Sequence, residues 1–233
     1  MTAPREPGSP KDHGAALEQY RRRASYYDLE LAMFEPVRRA AIERLALRRG
    51  DVVLDVGCGT GLSLALLQQG VGARGHIVGI EQCPEMMERA RHCVQQRGWR
   101  NVTLILASTE VAEIGRKADA ALFHFTHDIL REPLALANVA RSLRPDANIV
   151  ACGLQWAGPW AWPINLFVLG AALHSVTSLN GLDRPWSLLA HHVDHLRVEA
   201  LMAGAVFLAS GATRHPSDPA QNTPRSGTAD AYS

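Results

Sequence analysis

The chain has 233 residues, of which 47% are apolar and 20% charged, which suits one soluble α/β domain with short tails and a sizeable buried core. Twenty-four basic residues against 23 acidic ones leave a formal charge of +1, so the concentrated basic face of a nucleic-acid binder is not expected. Cys58, Cys83, Cys93 and Cys152 have neither zinc-knuckle spacing nor the density of a disulfide framework, and Met1 is followed by Pro, Arg, Glu and Lys rather than an apolar run. Reduced thiols, a cytoplasmic location and no metal are the expectations.

Residues 1–13 and 214–233 are rich in Pro, Gly and Ser and lack apolar periodicity, so both are expected to be disordered tails around a domain at 14–213. Leu17 to Leu47 reads as one or two helices with Pro36 near a boundary, and Arg21, Arg22, Arg23, Arg38 and Arg39 read as solvated helix faces. Asp51 to Val56 is a β-branched run that ends in glycines, followed by a helix over Leu62 to Gln69. His76 to Glu81 is a second strand, and Pro84 to Arg97 a helix whose proline sits in the first turn, where its missing N–H costs nothing. Asn101 to Ala107 and Ala118 to Phe125 are further strands, Pro133 to Leu143 a helix, and Ala147 to Gly153 the fifth strand. Strands this uniformly apolar, alternating with helices, predict a mostly parallel sheet covered on both faces. Beyond it, residues 156–192 read as a long, aromatic-rich helical insert, a buried or lid segment rather than a membrane span because Pro159, Pro163 and Asn165 interrupt it. His195 to Ala200 and Ala205 to Ala209, separated by Ala203-Gly204, predict a closing hairpin.

Val53-Leu-Asp-Val-Gly-Cys-Gly-Thr-Gly61 carries the chemistry. A buried strand enters Gly57, Gly59 and Gly61 and a helix leaves them, so the backbone turns sharply and a ligand can lie against bare main chain. Glu81 closes the next strand 20 positions after Gly61, where a carboxylate accepts ribose hydroxyls. Leu62 stands where a dinucleotide fingerprint wants glycine or alanine. Asp55, two residues before the first glycine, suits a ligand with a cationic end rather than a pyrophosphate.

This motif, with an acidic residue closing the second strand, resembles the class I S-adenosylmethionine-dependent methyltransferases, and Arg144-Pro145-Asp146-Ala147 resembles that family's turn before the fifth strand. The resemblance implies a Rossmann-like, seven-stranded, mostly parallel sheet with the last strand antiparallel, and S-adenosylmethionine as cofactor. Asp55, Gly57, Cys58, Gly59, Thr60, Gly61, Glu81 and Gln82 would hold the cofactor. Tyr26-Tyr27-Asp28 is similar to a segment of the small-molecule branches, including quinone and phosphatidylethanolamine methyltransferases, and implies Tyr27 over the cofactor. His124 would touch the methionyl group. Many members place an aspartate after the third strand to hold adenine; this chain has Ala107-Ser108-Thr109, so Ser108 or main chain would substitute.

The C-terminal end of the fourth strand faces the crevice, and Phe123-His-Phe-Thr-His-Asp-Ile129 follows it. His127 and Asp128 are the expected acid–base or orienting pair, because histidine titrates near neutrality. His191 and His195 are four apart and would share a face of one helix. Four of the five tryptophans fall in the insert, and Trp156, Trp160 and Trp162 are expected to line a pocket for a small, hydrophobic or aromatic N- or O-acceptor. A lipid amine acceptor, with peripheral membrane contact, is the alternative; a non-catalytic adenosyl-binding regulatory domain and a dehydrogenase are the rivals from other classes. A nucleic-acid partner is not expected, and the tryptophans leave room for a homodimer.

Overall fold

Apolar runs and amphipathic stretches alternate along the chain, and in the computed structural model they become a doubly covered sheet. The structure describes residues 34–157 and 182–213, with 161, 162, 164–166, 168 and 169 between them. In chain order the elements are α1 (Glu35–Arg44), β1 (Val52–Val56), α2 (Leu64–Val71), β2 (His76–Glu81), α3 (Pro84–Arg97), β3 (Val102–Leu106), β4 (Ala118–His124), the single turn α4 (His127–Leu130), α5 (Pro133–Ser142), β5 (Leu143–Leu154), β6 (Val193–Leu201) and β7 (Val206–Thr213). Pro36, Pro84 and Pro133 open α1, α3 and α5 within the first turn, and Gly98 closes α3 in the left-handed conformation.

The seven strands are ordered β3-β2-β1-β4-β5-β7-β6. All pairings from β3 to β5 are parallel, and β7 runs antiparallel to both β5 and β6. Chain order therefore reverses between β1 and β4, which opens a crevice at their C-terminal ends. The expected fold class is the observed one. β5 is longer than read: it starts at Leu143, pairs Ala118 with Leu143, and slips before Ala120 meets Asn148. Asp146 sits in that irregular stretch at φ +60°, a conformation that aspartate tolerates better than most residues. Likewise β6 and β7 are longer than the two short segments expected, and His191 ends a 3-10 turn while His195 lies in β6, so the two share no helix face.

Side-chain alternation divides the core in two. Val53, Ala120, Leu122, Val150, Cys152, Leu154, Val206 and Leu208 meet α1 and α2 on one face. Leu54, Val56, Ala121, Phe123, Ile149, Ala151, Phe207 and Ala209 meet α5 on the other. Polar residues that fall within these strict period-2 sets are therefore delivered to a known face. No helix of the described residues is long and apolar enough to cross a membrane. Tyr27, Trp160 and both tails lie outside the described residues.

Candidate functional site

The glycine loop leaves β1 with three positive-φ residues, Gly57, Gly59 and Gly61, but they do different work. A Cβ at Gly57 would lie 2.5 Å from Thr126 Cγ2, so this glycine lets the loop touch the segment after β4. A Cβ at Gly61 would lie 2.8 Å from Leu64 Cδ1 and 3.4 Å from Ala90 Cα, so this one seats the loop against α3. At Gly59 only Met86 Sδ, at 3.8 Å, would be near. The middle glycine is thus bare toward the crevice, as backbone that receives a ligand must be.

Glu81 ties the loop to β2. Its Oε2 accepts the Gly59 N–H at 3.0 Å and its Oε1 accepts the Cys83 N–H at 2.7 Å. The Gln82 N–H also bonds this carboxylate, and since a carboxylate has about four acceptor positions, room remains for a ligand hydroxyl. Burial raises the pKa of Glu81, and the donated backbone N–H groups oppose that rise. Cys58 and Thr60 are buried in the loop, while Gln82 is exposed beyond Glu81. Ala107, Ser108 and Thr109 follow β3; the Ala107 N–H is donated to the Glu81 carbonyl, which brings this turn to the same end of the sheet.

Asp55 pairs in register with Leu122, and His124 with Cys152, so both polar side chains lie on the face covered by α1. Asp55 is 1% exposed, and its Oδ2 has no hydrogen-bond partner among the described residues. Burial pushes its pKa up to about 7, opposed by the Arg38 charge and assisted by Glu81. His124 Nε2 is also buried and has no hydrogen-bond partner among the described residues. Burial first, and the Arg38 charge second, lower its pKa to about 3, so His124 is neutral at physiological pH.

Arg38 was expected on a solvated face together with Arg39. Arg39 is exposed; Arg38 is 3% exposed. The reason is its position on the buried stripe of α1, beside Val37, Ala41 and Ile42. That spacing was visible in the sequence and outweighs the presumption that an arginine is solvated. Its Nη1 is paired with Glu35.

His127 was read as bracketing the crevice together with His124, but the structure separates them. The His127 ring is buried, donates from Nε2 to the Leu154 carbonyl at 2.9 Å, and meets Phe207 edge-on at 6.2 Å between centroids. A Cβ at Gly153 would lie 2.6 Å from its Cε1. Burial lowers its pKa, so it rests as the neutral Nε2–H tautomer. Asp128, next in the chain, is exposed. Of the tryptophans, Trp156 packs against the α1-side core, Trp186 meets Phe207 at a tilt with ring centroids 5.1 Å apart, and Trp162 is 70% exposed.

Residues 53–146 match a methyltransferase domain family. That span, which holds the glycine loop and Glu81, is similar to a methyltransferase domain. Over 65 residues it is 45% identical to a protein-L-isoaspartate O-methyltransferase of Ignicoccus hospitalis, covering 28% of this chain and 31% of that one. Over 88 residues it is 36% identical to an aklanonic acid methyltransferase of a Streptomyces species, covering 37% and 40%. The chain thus spans well under half the length of these curated relatives in the matched region. Among solved structures, a SAM-dependent methyltransferase from Aquifex aeolicus superposes with a TM-score of 0.52 at 20% identity, over 76% of this chain and 89% of that one. S-adenosylmethionine is the cofactor of this family, and the residues present fit it: an idle buried carboxylate at Asp55, spare acceptors on Glu81, and uncovered backbone at Gly59.

Proposed function

We propose that the protein transfers the methyl group of S-adenosylmethionine to a small, hydrophobic or aromatic N- or O-acceptor. When bound, the cofactor supplies an electrophilic methyl carbon on a sulfonium. The observation that supports the reading best is Asp55: a fully buried carboxylate with an idle oxygen, at a strand end beside the glycine loop, calls for a cationic ligand. Asp55 would hold the cationic methionyl end, Glu81 the ribose hydroxyls, and the backbone around Gly59 the body of the ligand. The turn at Ala107, Ser108 and Thr109 would border the adenine, and Tyr27 would cover the cofactor from the N-terminal side.

Alignment and exclusion of water are the main demands of such a transfer. His124, neutral and half-buried with its Nε2 inaccessible, would border the methyl group from the end of β4 without repelling it. His127, locked onto the Leu154 carbonyl, would act as a positioning residue for the turn after β4 rather than as a base. A general base is needed only for an acceptor that arrives protonated. Trp156, Trp160 and Trp162 would supply apolar contact for the acceptor. The test is calorimetry with S-adenosylmethionine followed by transfer of labelled methyl to a panel of hydrophobic amines, phenols and acids. Binding with transfer supports the reading; binding of NADH instead of the sulfonium nucleoside would replace it with a dehydrogenase.

A further inference from the structure

The even balance of charge in the sequence conceals how the fold distributes it. β1 to β5 run parallel, so their N-terminal ends share one edge of the sheet, opposite the crevice. In the spatial order β3-β2-β1-β4-β5, that edge carries Arg100 two residues before β3, Arg74 two before β2, and Arg48 and Arg49 before β1. Arg116 and Lys117 stand immediately before β4, and Arg144 is the second residue of β5. All of these side chains are exposed. With neighbouring strands about 4.8 Å apart, the five strand starts make a cationic rim about 19 Å long.

Side-chain contacts tie the rim together. A Cβ at Gly72 would lie 2.6 Å from Arg49 Nη1, which places the Arg49 guanidinium over the turn that carries Arg74. Burial first, and the Arg116 charge second, lower the pKa of His76, the first residue of β2, so Arg116 acts across the intervening β1. Asp119 Oδ2 accepts the Val52 N–H at 2.8 Å and its Oδ1 is paired with Arg144, which joins β1, β4 and β5. Asp51, the other acid inside the rim, accepts the Arg48 N–H at 2.7 Å, and Asp146 is exposed at one end. The crevice edge has the reverse balance, with Asp55, Glu81, Glu85, Asp128 and Glu132 against Arg38 and Arg131.

The character of the rim selects its partner. None of the large apolar side chains exposed among the described residues lies at these strand starts. A protein interface keeps an apolar or aromatic centre, and a face that binds a membrane inserts one, so neither finds an anchor here. All but one of the cations are arginines, whose planar fork matches pairs of phosphate oxygens. A nucleic-acid backbone draws its sequence-independent affinity from such neutralised phosphates. We propose that the N-terminal edge of the sheet, from Arg100 to Arg144, docks the sugar–phosphate backbone of a nucleic-acid duplex without reading its sequence. The glycine loop lies one strand length away, about 16–20 Å for strands of five or six residues, so the duplex is a tether and not the methyl acceptor. Docking is independent of the cofactor. The net charge of +1 argued against such a face, but a sum over the chain is blind to the segregation that a parallel sheet imposes.

The experiment is fluorescence anisotropy of the full chain with a labelled DNA duplex of about 20 base pairs, in salt from about 50 to about 200 mM. Arg74→Gln, Arg100→Gln and Arg116→Gln each remove one rim cation at an exposed position, where the fold tolerates the change. Arg131→Gln removes a cation at the crevice end instead. Wild-type affinity is expected to fall steeply with salt. Each rim variant is expected to weaken binding about three- to tenfold at low salt, on any sequence, and to reduce the log–log salt slope by about 1, while Arg131→Gln changes neither. Absence of binding at about 50 mM salt overturns the proposal, as do rim variants that bind like wild type or an equal loss in Arg131→Gln. Phosphatidylserine–phosphatidylcholine vesicles and polyglutamate serve as competitors. A preference for either that disappears in the same rim variants assigns the edge to a membrane or an acidic protein and overturns the proposal as well.

Discussion

Glu81 holds the Gly59 N–H at 3.0 Å, so the residue that closes the second strand also sets the middle of the glycine loop. The same carboxylate accepts the N–H of Cys83, the residue just before α3. Glu81→Ala is therefore expected to act twice: to loosen the loop and to remove acceptors for ribose. Each lost hydrogen bond to a charged group is worth about 1.5–3 kcal/mol. Glu81→Gln keeps one acceptor oxygen and is expected to fall between Glu81→Ala and wild type. Calorimetry with S-adenosylhomocysteine checks this order; equal affinities across the three proteins would remove Glu81 from the cofactor's contacts.

Asp55 makes stability and ligand affinity respond to pH in opposite directions. Its pKa rises from 3.8 to about 7 in the folded protein, so folding favours the protonated form. The stability this contributes is present below the unfolded pKa and is lost as pH rises toward about 7. A cationic ligand needs the ionised form, so its affinity falls as pH drops below that point. Asp55→Asn is expected to melt higher than wild type above neutrality, to flatten the stability profile in this window, and to lose the cofactor. Melting curves and titrations at about pH 6 and about pH 8 decide it, and a wild-type affinity that does not change with pH refutes the role.

The glycines separate folding from binding. Gly57→Ala drives a methyl group to 2.5 Å from Thr126 Cγ2, so it is expected to destabilise the fold by about 1–3 kcal/mol. Gly59→Ala meets only Met86 Sδ, at an ordinary 3.8 Å, and suffers the positive φ, a cost of about 1 kcal/mol, yet it puts a methyl group where the proposed ligand would lie. The expected pattern is a folded, non-binding Gly59→Ala and a less stable Gly57→Ala, read by melting and calorimetry together.

His127 is expected to matter for stability more than for proton transfer. His127→Phe leaves the Leu154 carbonyl without its donor, a loss of about 1–3 kcal/mol. Because the folded protein holds this ring below its ordinary pKa, the stability tied to its neutral form is present above about 6.5 and is lost as pH falls through the lower folded value. Gly153→Ala, which crowds the same ring, should reproduce the loss. A methyl-transfer pH profile that changes in His127→Gln while melting does not would instead restore His127 as an acid–base group.

The sheet and the loop were legible because they rest on local rules: period-2 apolar runs, glycines in sequence, and a carboxylate at the next strand end. The strand boundaries of β5 and β6 were not, because their irregular starts are stabilised by pairing with distant partners, Ala118 and β7. The two histidines at and after the end of β4 looked alike in sequence. Only the turn at Phe125, with φ +58°, sends His127 to the Phe207 side while His124 stays with Asp55. Arg38 was missed by treating an arginine as solvated despite its place in an apolar stripe.

Asp55, His124 and Cys152 reach one side of the sheet solely because each is an even number of steps from its apolar neighbours Val53, Leu122 and Val150. A single residue gained or lost between Val53 and Asp55 would turn the carboxylate to the opposite side even if every apolar contact were rebuilt. Length along β1 is therefore held as tightly as the identity of Asp55 itself.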